Sequence, residues 1–145
     1  MTSEFSVAVH ALVYLEHRTG THSSEALAEN VCTNPARIRK VMARLKKAGL
    51  VETKEGAEGG YHFDLDPAGV TLRQVAEAVD KHLVSAAWRP GSRELPCLIA
   101  SGMAGVLDGI YHELDLLCLE RLSRITIRDV EERIFHPPGG ETHTP

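Results

Sequence analysis

Six of the chain's 16 lysines and arginines fall between Arg37 and Lys47, namely Arg37, Arg39, Lys40, Arg44, Lys46 and Lys47, and no acidic residue interrupts them. The whole chain carries a net charge of −4, so this density is local and not a by-product of basic composition. Clustered cations attract a polyanion, and an arginine among them can bond both acceptors of a guanine edge. A solvated helix face is the alternative meaning of the same residues. Thiol chemistry is the second candidate, at Cys32, Cys97 and Cys118; metal ligation by the eight histidines finds no i, i+4 pair to support it.

A helix must present the basic run, and the sequence marks both of its ends. Asn34 suits the cap, Pro35 suits the first helical position where its missing N–H costs nothing, and Gly49 suits the left-handed stop. At 3.6 residues per turn, Ile38, Val41, Met42 and Leu45 share one side, while Arg37, Lys40, Arg44 and Lys47 form a stripe beside it. One side packs and the other is basic.

The flanking elements follow. Val7, Val9, Ala11, Leu12, Tyr14 and Leu15 predict a largely buried helix over 3–17, ended by Arg18-Thr19-Gly20-Thr21. Ser23 caps a short helix, 24–31, and the turn Cys32-Thr33-Asn34 joins it to the basic helix. Two short helices joined this way, the second basic and longer, are the signature of a helix-turn-helix. After Gly49, the β-prone Leu50–Lys54, the glycine-bearing Glu55–Gly60 and the alternating Tyr61–Leu65 describe a hairpin wing. Asp66-Pro67-Ala68-Gly69 breaks the chain, and Thr71-Leu72-Arg73-Gln74 opens a helix to about Lys81 with a capping box.

From His82 to Pro96 no period holds. The longest helix then runs from Cys97 to Arg121, with Ile99, Met103, Val106, Leu107, Ile110, Leu114, Leu117 and Cys118 on one broad face that needs a partner. Gly102, Gly105 and Gly109 lie on a neighbouring face, each costing roughly 1 kcal/mol of helix propensity relative to alanine. Close approach of a symmetry mate would compensate, so a homodimer is expected. Thr126-Ile127-Arg128-Asp129 opens a last helix ending near Phe135, and 136–145 reads as a disordered tail.

Composition bounds the function. With 145 residues, 43% apolar and 25% charged, the chain can build one ordinary domain with a dimerisation element appended. No apolar run approaches the roughly 20 residues of a membrane span, and Thr2, Ser3 and Glu4 stand where a signal peptide would be positive, so a cytoplasmic protein is expected. Three widely spaced cysteines argue against a disulfide scaffold, and no C-x-x-C marks a zinc ribbon. There is no G-x-S-x-G, no phosphate-binding glycine loop and no H-E-x-x-H, so an enzyme finds no support.

The helix pair at Ser23–Lys47, the run Leu45-Lys46-Lys47-Ala48-Gly49-Leu50-Val51, the wing Gly56-Ala57-Glu58-Gly59-Gly60-Tyr61 and the element Val70-Thr71-Leu72-Arg73-Gln74-Val75 together resemble the Rrf-two (Rrf2) family of bacterial transcription regulators. The resemblance extends to about Ile134. It implies a homodimeric winged-helix protein, more often a repressor, whose long helices cross at the dimer interface and which binds a palindromic operator in double-stranded DNA. Family members that hold an iron–sulfur cluster place three cysteines close together between the wing-proximal helix and the long helix. Only Cys97 stands there, so the chain resembles the cluster-free branch, and no cofactor or resident metal is expected.

The expected architecture is mainly α with a small β-hairpin wing: a winged helix-turn-helix over 1–81, a connection over 82–96, dimerisation helices over 97–135 and the tail over 136–145. Arg37, Arg39, Lys40 and Arg44 are the expected DNA contacts, those near the helix start best placed for base edges, with Lys46 and Lys47 on phosphate and Thr33 and Asn34 on backbone oxygens. Solvent exposure is the alternative for Arg39 and Lys46, on the opposite edge of the apolar side. Lys54 is the wing contact, although Glu55 and Glu58 offset it, and Tyr61 braces the hairpin. Cys97, at a helix start that favours thiolate, is the redox-sensing candidate, with a partly buried structural cysteine as the alternative; Cys32 is a weaker candidate and Cys118 lies in the core. A small effector of unknown kind would fit beneath the 82–96 connection, with Trp88 as a wall; a core or interface position is the alternative for Trp88. A winged-helix protein-docking module without specific DNA binding is the competing function.

Overall fold

The computed structural model describes residues 2–80 and 82–139. Across these residues run α1 (Ser3–His17), α2 (Ser24–Val31), α3 (Pro35–Lys47), β1 (Glu52–Lys54), β2 (Gly60–His62), α4 (Leu72–Val79), α5 (Leu98–Leu122) and α6 (Ile127–Phe135). The architecture is mostly helical with a two-stranded antiparallel wing, as the sequence patterning implies.

Helix α1 is the hub. It packs against α2, α3, α4 and α6, and Ala8, Ala11, Leu12 and Leu15 are almost wholly removed from water. Leu27 from α2, Ile38, Met42 and Leu45 from α3, Val75 from α4 and Ile127 from α6 meet it in one core. Each fully buried aliphatic side chain contributes about 1.5–3 kcal/mol relative to exposure, so this cluster orients α3.

The helix-turn-helix is built by local hydrogen bonds. Ser23 Oγ accepts from the Ala26 N–H at 3.1 Å and Asn34 Oδ1 accepts from the Arg37 N–H at 2.8 Å, which caps α2 and α3. Between the caps Cys32 takes a left-handed conformation, φ 64°, and turns the chain. Gly49 takes φ 78° after α3, as its position suggests.

In the wing Glu52 pairs with His62, Thr53 with Tyr61 and Lys54 with Gly60. The second strand is shorter than the Tyr61–Leu65 alternation suggests, because it finds a partner only over 60–62. The wing is also anchored backward: His22 and Tyr61 exchange backbone hydrogen bonds of 2.9 and 2.8 Å. Gly60, at φ 150°, lies against the His22 carbonyl so closely that a Cβ would overlap it.

A capping box joins Thr71 and Gln74 at the start of α4. The helix ends at Val79, sooner than the expected Lys81, because Asp80 is extended; Lys81 itself lies outside the described residues. Reciprocal backbone bonds, Leu72 N–H to Ile125 at 2.8 Å and Ile127 N–H to Val70 at 3.0 Å, fasten α6 to the body. The expected tail is described only to Gly139, and 140–145 lie outside the described residues.

Helix α5, about 37 Å long at 1.5 Å per residue, divides in two. Its last turns dock through Cys118, Leu119 and Leu122. Towards its start Leu98, Ile99 and Val106 are 86%, 71% and 61% exposed. The aperiodic connection is not loose against it. Asp115, buried in α5, accepts the Leu83 and Val84 N–H groups at 2.8 and 3.0 Å, Arg89 Nη2 meets Asp108 Oδ2 at 2.6 Å, and the Ser92 N–H reaches the Ala100 carbonyl at 3.0 Å. Gly91, at φ 68°, leaves no room for a Cβ beside that carbonyl. The pattern was aperiodic because the segment is held by backbone groups and charges and not by an apolar stripe.

Candidate nucleic-acid interface

With Ile38, Val41, Met42 and Leu45 buried, the row pointing away from the core on α3 is Ala36, Lys40, Ala43 and Lys47, all exposed. Two alanines in this row let a partner surface approach the backbone closely. Arg37 and Arg44 lie on the flank facing α1; Arg39 and Lys46 lie on the flank facing α2 and the wing.

The two flanks have different partners. Arg37 donates to Ser3 Oγ, Arg44 donates to Glu4 Oε2 and, at 2.9 Å, to the Val79 carbonyl, and Lys40 Nζ lies 2.9 Å from Glu4 Oε1. On the other side Arg39 Nη1 donates to Ser24 Oγ at 3.2 Å and sits 3.7 Å from Glu25 Oε1, while Lys46 Nζ donates to Thr53 Oγ1 at 2.9 Å, tying helix to wing. The side chains of Lys47 and Lys54 make no hydrogen bond or ion pair with any described residue, which leaves both ammonium groups open to solvent. Asn34 spends its Oδ1 on the cap, and Thr33 is half-buried behind it. The wing tip around Lys54 keeps Glu55 and Glu58 exposed. Tyr61 packs against the core and braces the hairpin.

Glu4 is the residue that the sequence reading missed. The Lys40 hydrogen bond is the main cause holding its carboxyl below the ordinary value, opposed by partial burial and helped by the charges of Arg44, Lys40 and Arg37. No local signal could have found it, because Glu4 and Arg44 are 40 residues apart and meet only through packing of α1 on α3.

Cys97 is the N-cap of α5 and exposed. Its side chain makes no capping hydrogen bond, yet the N–H groups of Ala100 and then Ile99 lie ahead of the thiol and hold its pKa below the ordinary value. Cys32 is exposed in the turn and Cys118 is half-buried against the core. Cys97 and Cys118 are separated by about 30 Å of one helix at 1.5 Å per residue. They cannot ligate one cluster within a chain, and an iron–sulfur centre does not fit these residues. Among the described residues one group could bring three ligand atoms together, Glu52, His62 and Asp64 on the wing, within 4.8 Å of one another.

A cleft of about 250 Å³ does lie under the connection, lined by His82, Arg89, Asp108, Tyr111 and His112. Trp88 is not its wall: the ring stands 77% exposed. A larger groove, about 590 Å³, runs between α1 and α6.

Fold and surface together define a winged helix-turn-helix regulator, a braced basic helix beside a hairpin wing. The chain belongs to the Rrf2 family, described as an iron-dependent transcriptional regulator, whose model matches residues 1–133. It is 27% identical over 139 residues to YwnA of Bacillus subtilis (strain 168), an HTH-type transcriptional regulator by name, covering 93% of this chain and 99% of the relative. Among solved structures, a transcriptional regulator from Lactobacillus plantarum superposes with a TM-score of 0.79 at 28% identity, covering 94% of this chain and 92% of that one. IscR of T. potens shares the fold, with a TM-score of 0.68 at 20% identity over 97% and 92% of the two chains. The family, YwnA and the Lactobacillus plantarum protein are regulators of transcription and not enzymes. No helix among the described residues is long and apolar enough to cross a membrane.

Proposed function

We propose that this transcriptional regulator is a cytoplasmic homodimer that binds a two-fold operator in double-stranded DNA and acts as a repressor without an iron–sulfur cluster. The observation that carries the reading is the outward row of α3, Ala36, Lys40, Ala43 and Lys47, held by a buried opposite side and flanked by Arg39 and Lys46. Such a row fits the major groove: small side chains permit approach, and the cations meet phosphates and base edges. Lys54 supplies a wing contact.

Helix α5 supports the dimer. Its exposed Leu98, Ile99, Val106 and Ile110 form an apolar stripe of the kind that a second copy covers. Gly102, Gly105 and Gly109 have open space where a Cβ would stand, room for a close helix pair. The Cys97 thiol and the cleft beneath the connection are the places where an oxidant or a small effector would act. The domain scheme that follows is a DNA-binding unit over 1–81, the connection over 82–96 and a dimerisation unit over 97–135.

Fluorescence anisotropy of the full chain against duplex from its own upstream region, compared with scrambled duplex across a salt series, tests the proposal. Tight binding to the first, weaker binding to the second and a steep loss with salt are expected. Absence of binding to either at low salt would overturn it.

A further inference from the structure

The basic cluster does not face outward as a unit. Lys40 belongs to the middle of the outward row and remains 61% exposed, yet its ammonium is drawn to Glu4, whose side chain is 19% exposed at the first turn of α1. Fastening the fold does not require that contact, because Arg44 already ties α3 to α1 and α4 through Glu4 and the Val79 carbonyl. Lys40 is therefore a cation of the outward row that already has an internal carboxylate partner.

We propose that Glu4 is a specificity-determining residue of the DNA interface, a counter-charge that withholds Lys40 from the phosphates of arbitrary duplex. The inference rests on the DNA-binding reading above. Nonspecific binding is almost wholly electrostatic, and each neutralised phosphate adds about 0.9 to the slope of log affinity against log salt. With Lys40 held by Glu4, random duplex meets the remaining cations, whereas an operator base edge offers Lys40 acceptors that draw it from the carboxylate. Removing the carboxylate then strengthens the wrong complexes most. Glu4 also sits favourably at the positive end of the α1 dipole, so loss of stability in a variant would not separate the two roles. The salt slope does.

The experiment is a salt series of anisotropy titrations of random-sequence duplex with the full chain. Glu4→Gln is expected to steepen the slope by about one per protomer and to tighten binding roughly three-fold at moderate salt. Glu4→Asp, which keeps the charge, restores the shallower slope, and Glu4→Gln with Lys40→Gln loses the gain. Lys40→Gln alone, a test that does not need the Glu4 variants to fold, lowers affinity for duplex from the upstream region more than affinity for random duplex. The same steepening in Glu132→Gln on α6 would show a net-charge effect and overturn the proposal, as would an unchanged slope in Glu4→Gln or an equal loss of affinity for both duplexes in Lys40→Gln. Wild-type protein that binds no duplex at low salt would overturn the DNA-binding reading as well, whereas wild-type binding with a silent Glu4→Gln overturns this proposal alone.

Discussion

Arg44 Nη1 donates to the carbonyl oxygen of Val79 at 2.9 Å, bridging 35 residues of chain. The bond joins the last turn of the basic helix to the last residue of α4, from which the connection to α5 departs. Because the same guanidinium holds Glu4, Arg44 acts as a strut between α1, α3 and α4.

Arg44→Gln should therefore behave as a packing variant. A charged hydrogen bond on a side chain 41% exposed is expected to contribute about 1 kcal/mol after screening, and its loss to lower Tm by roughly 3 °C. The slope of DNA affinity against salt should stay within error of wild type. A slope shallower by one would return Arg44 to the DNA contacts.

Lys47 and Lys54 should behave in the opposite way. Both are exposed and unpaired among the described residues, so Lys47→Gln and Lys54→Gln should leave Tm unchanged while each reduces the salt slope by about one per protomer. Thermal denaturation and anisotropy on the same samples check both halves.

Asp115 predicts an acid-sensitive joint between α5 and the connection. Burial raises its pKa, but the N–H groups of Val84 and Leu83, with His82 at 3.5 Å, outweigh it and hold the value below the ordinary 3.8. Its surroundings also include Arg89, Asp108, Tyr111 and His112, which line the same cleft. A depressed carboxyl pKa contributes stability above the unfolded value and loses it as pH falls through the folded one. Asp115→Asn should cost about 1–3 kcal/mol at neutral pH, with the gap from wild type constant down to about pH 5 and closing below pH 4. Urea denaturation across this range reads it directly.

Gly105 has nothing within 4 Å of where a Cβ would be, so Gly105→Leu should leave the fold of each protomer intact. If α5 packs closely on its mate, equilibrium sedimentation should show the dimer weakened at least ten-fold, equivalent to about 1.4 kcal/mol. An unchanged dimer would place the interface elsewhere.

Cys97 should react with iodoacetamide at neutral pH faster than Cys118, since it is exposed and faces the N–H groups that favour its thiolate, whereas Cys118 is half-buried. Peptide mass spectrometry after brief alkylation ranks the two. Equal rates would remove Cys97 as a sensor.

The punctuation of the fold was legible residue by residue. Ser23, Asn34 with Pro35, and Thr71 with Gln74 stand at the caps where they were expected, and the apolar spacing of α3 already separated its buried side from its basic one. These signals are local: a cap reaches three residues and helical periodicity repeats every three or four, so one stretch of sequence contains the whole message. Family membership was legible for the same reason, since the motifs that carry it are short.

The partners of the basic residues were not legible. Glu4 meets Lys40 and Arg44, Lys46 meets Thr53, and Asp115 meets Leu83 and Val84 across 31 or more residues in all but the second case. Periodicity says which side of a helix is buried; it does not say which neighbour its flanks will face, because that depends on the angle at which whole helices pack. Charge density along the chain therefore marked α3 as the candidate helix for a polyanion. The crossing of α1 along the flank from Arg37 to Arg44, with Leu12, Ile38 and Met42 in the shared core, determines which of those charges are left without an internal partner.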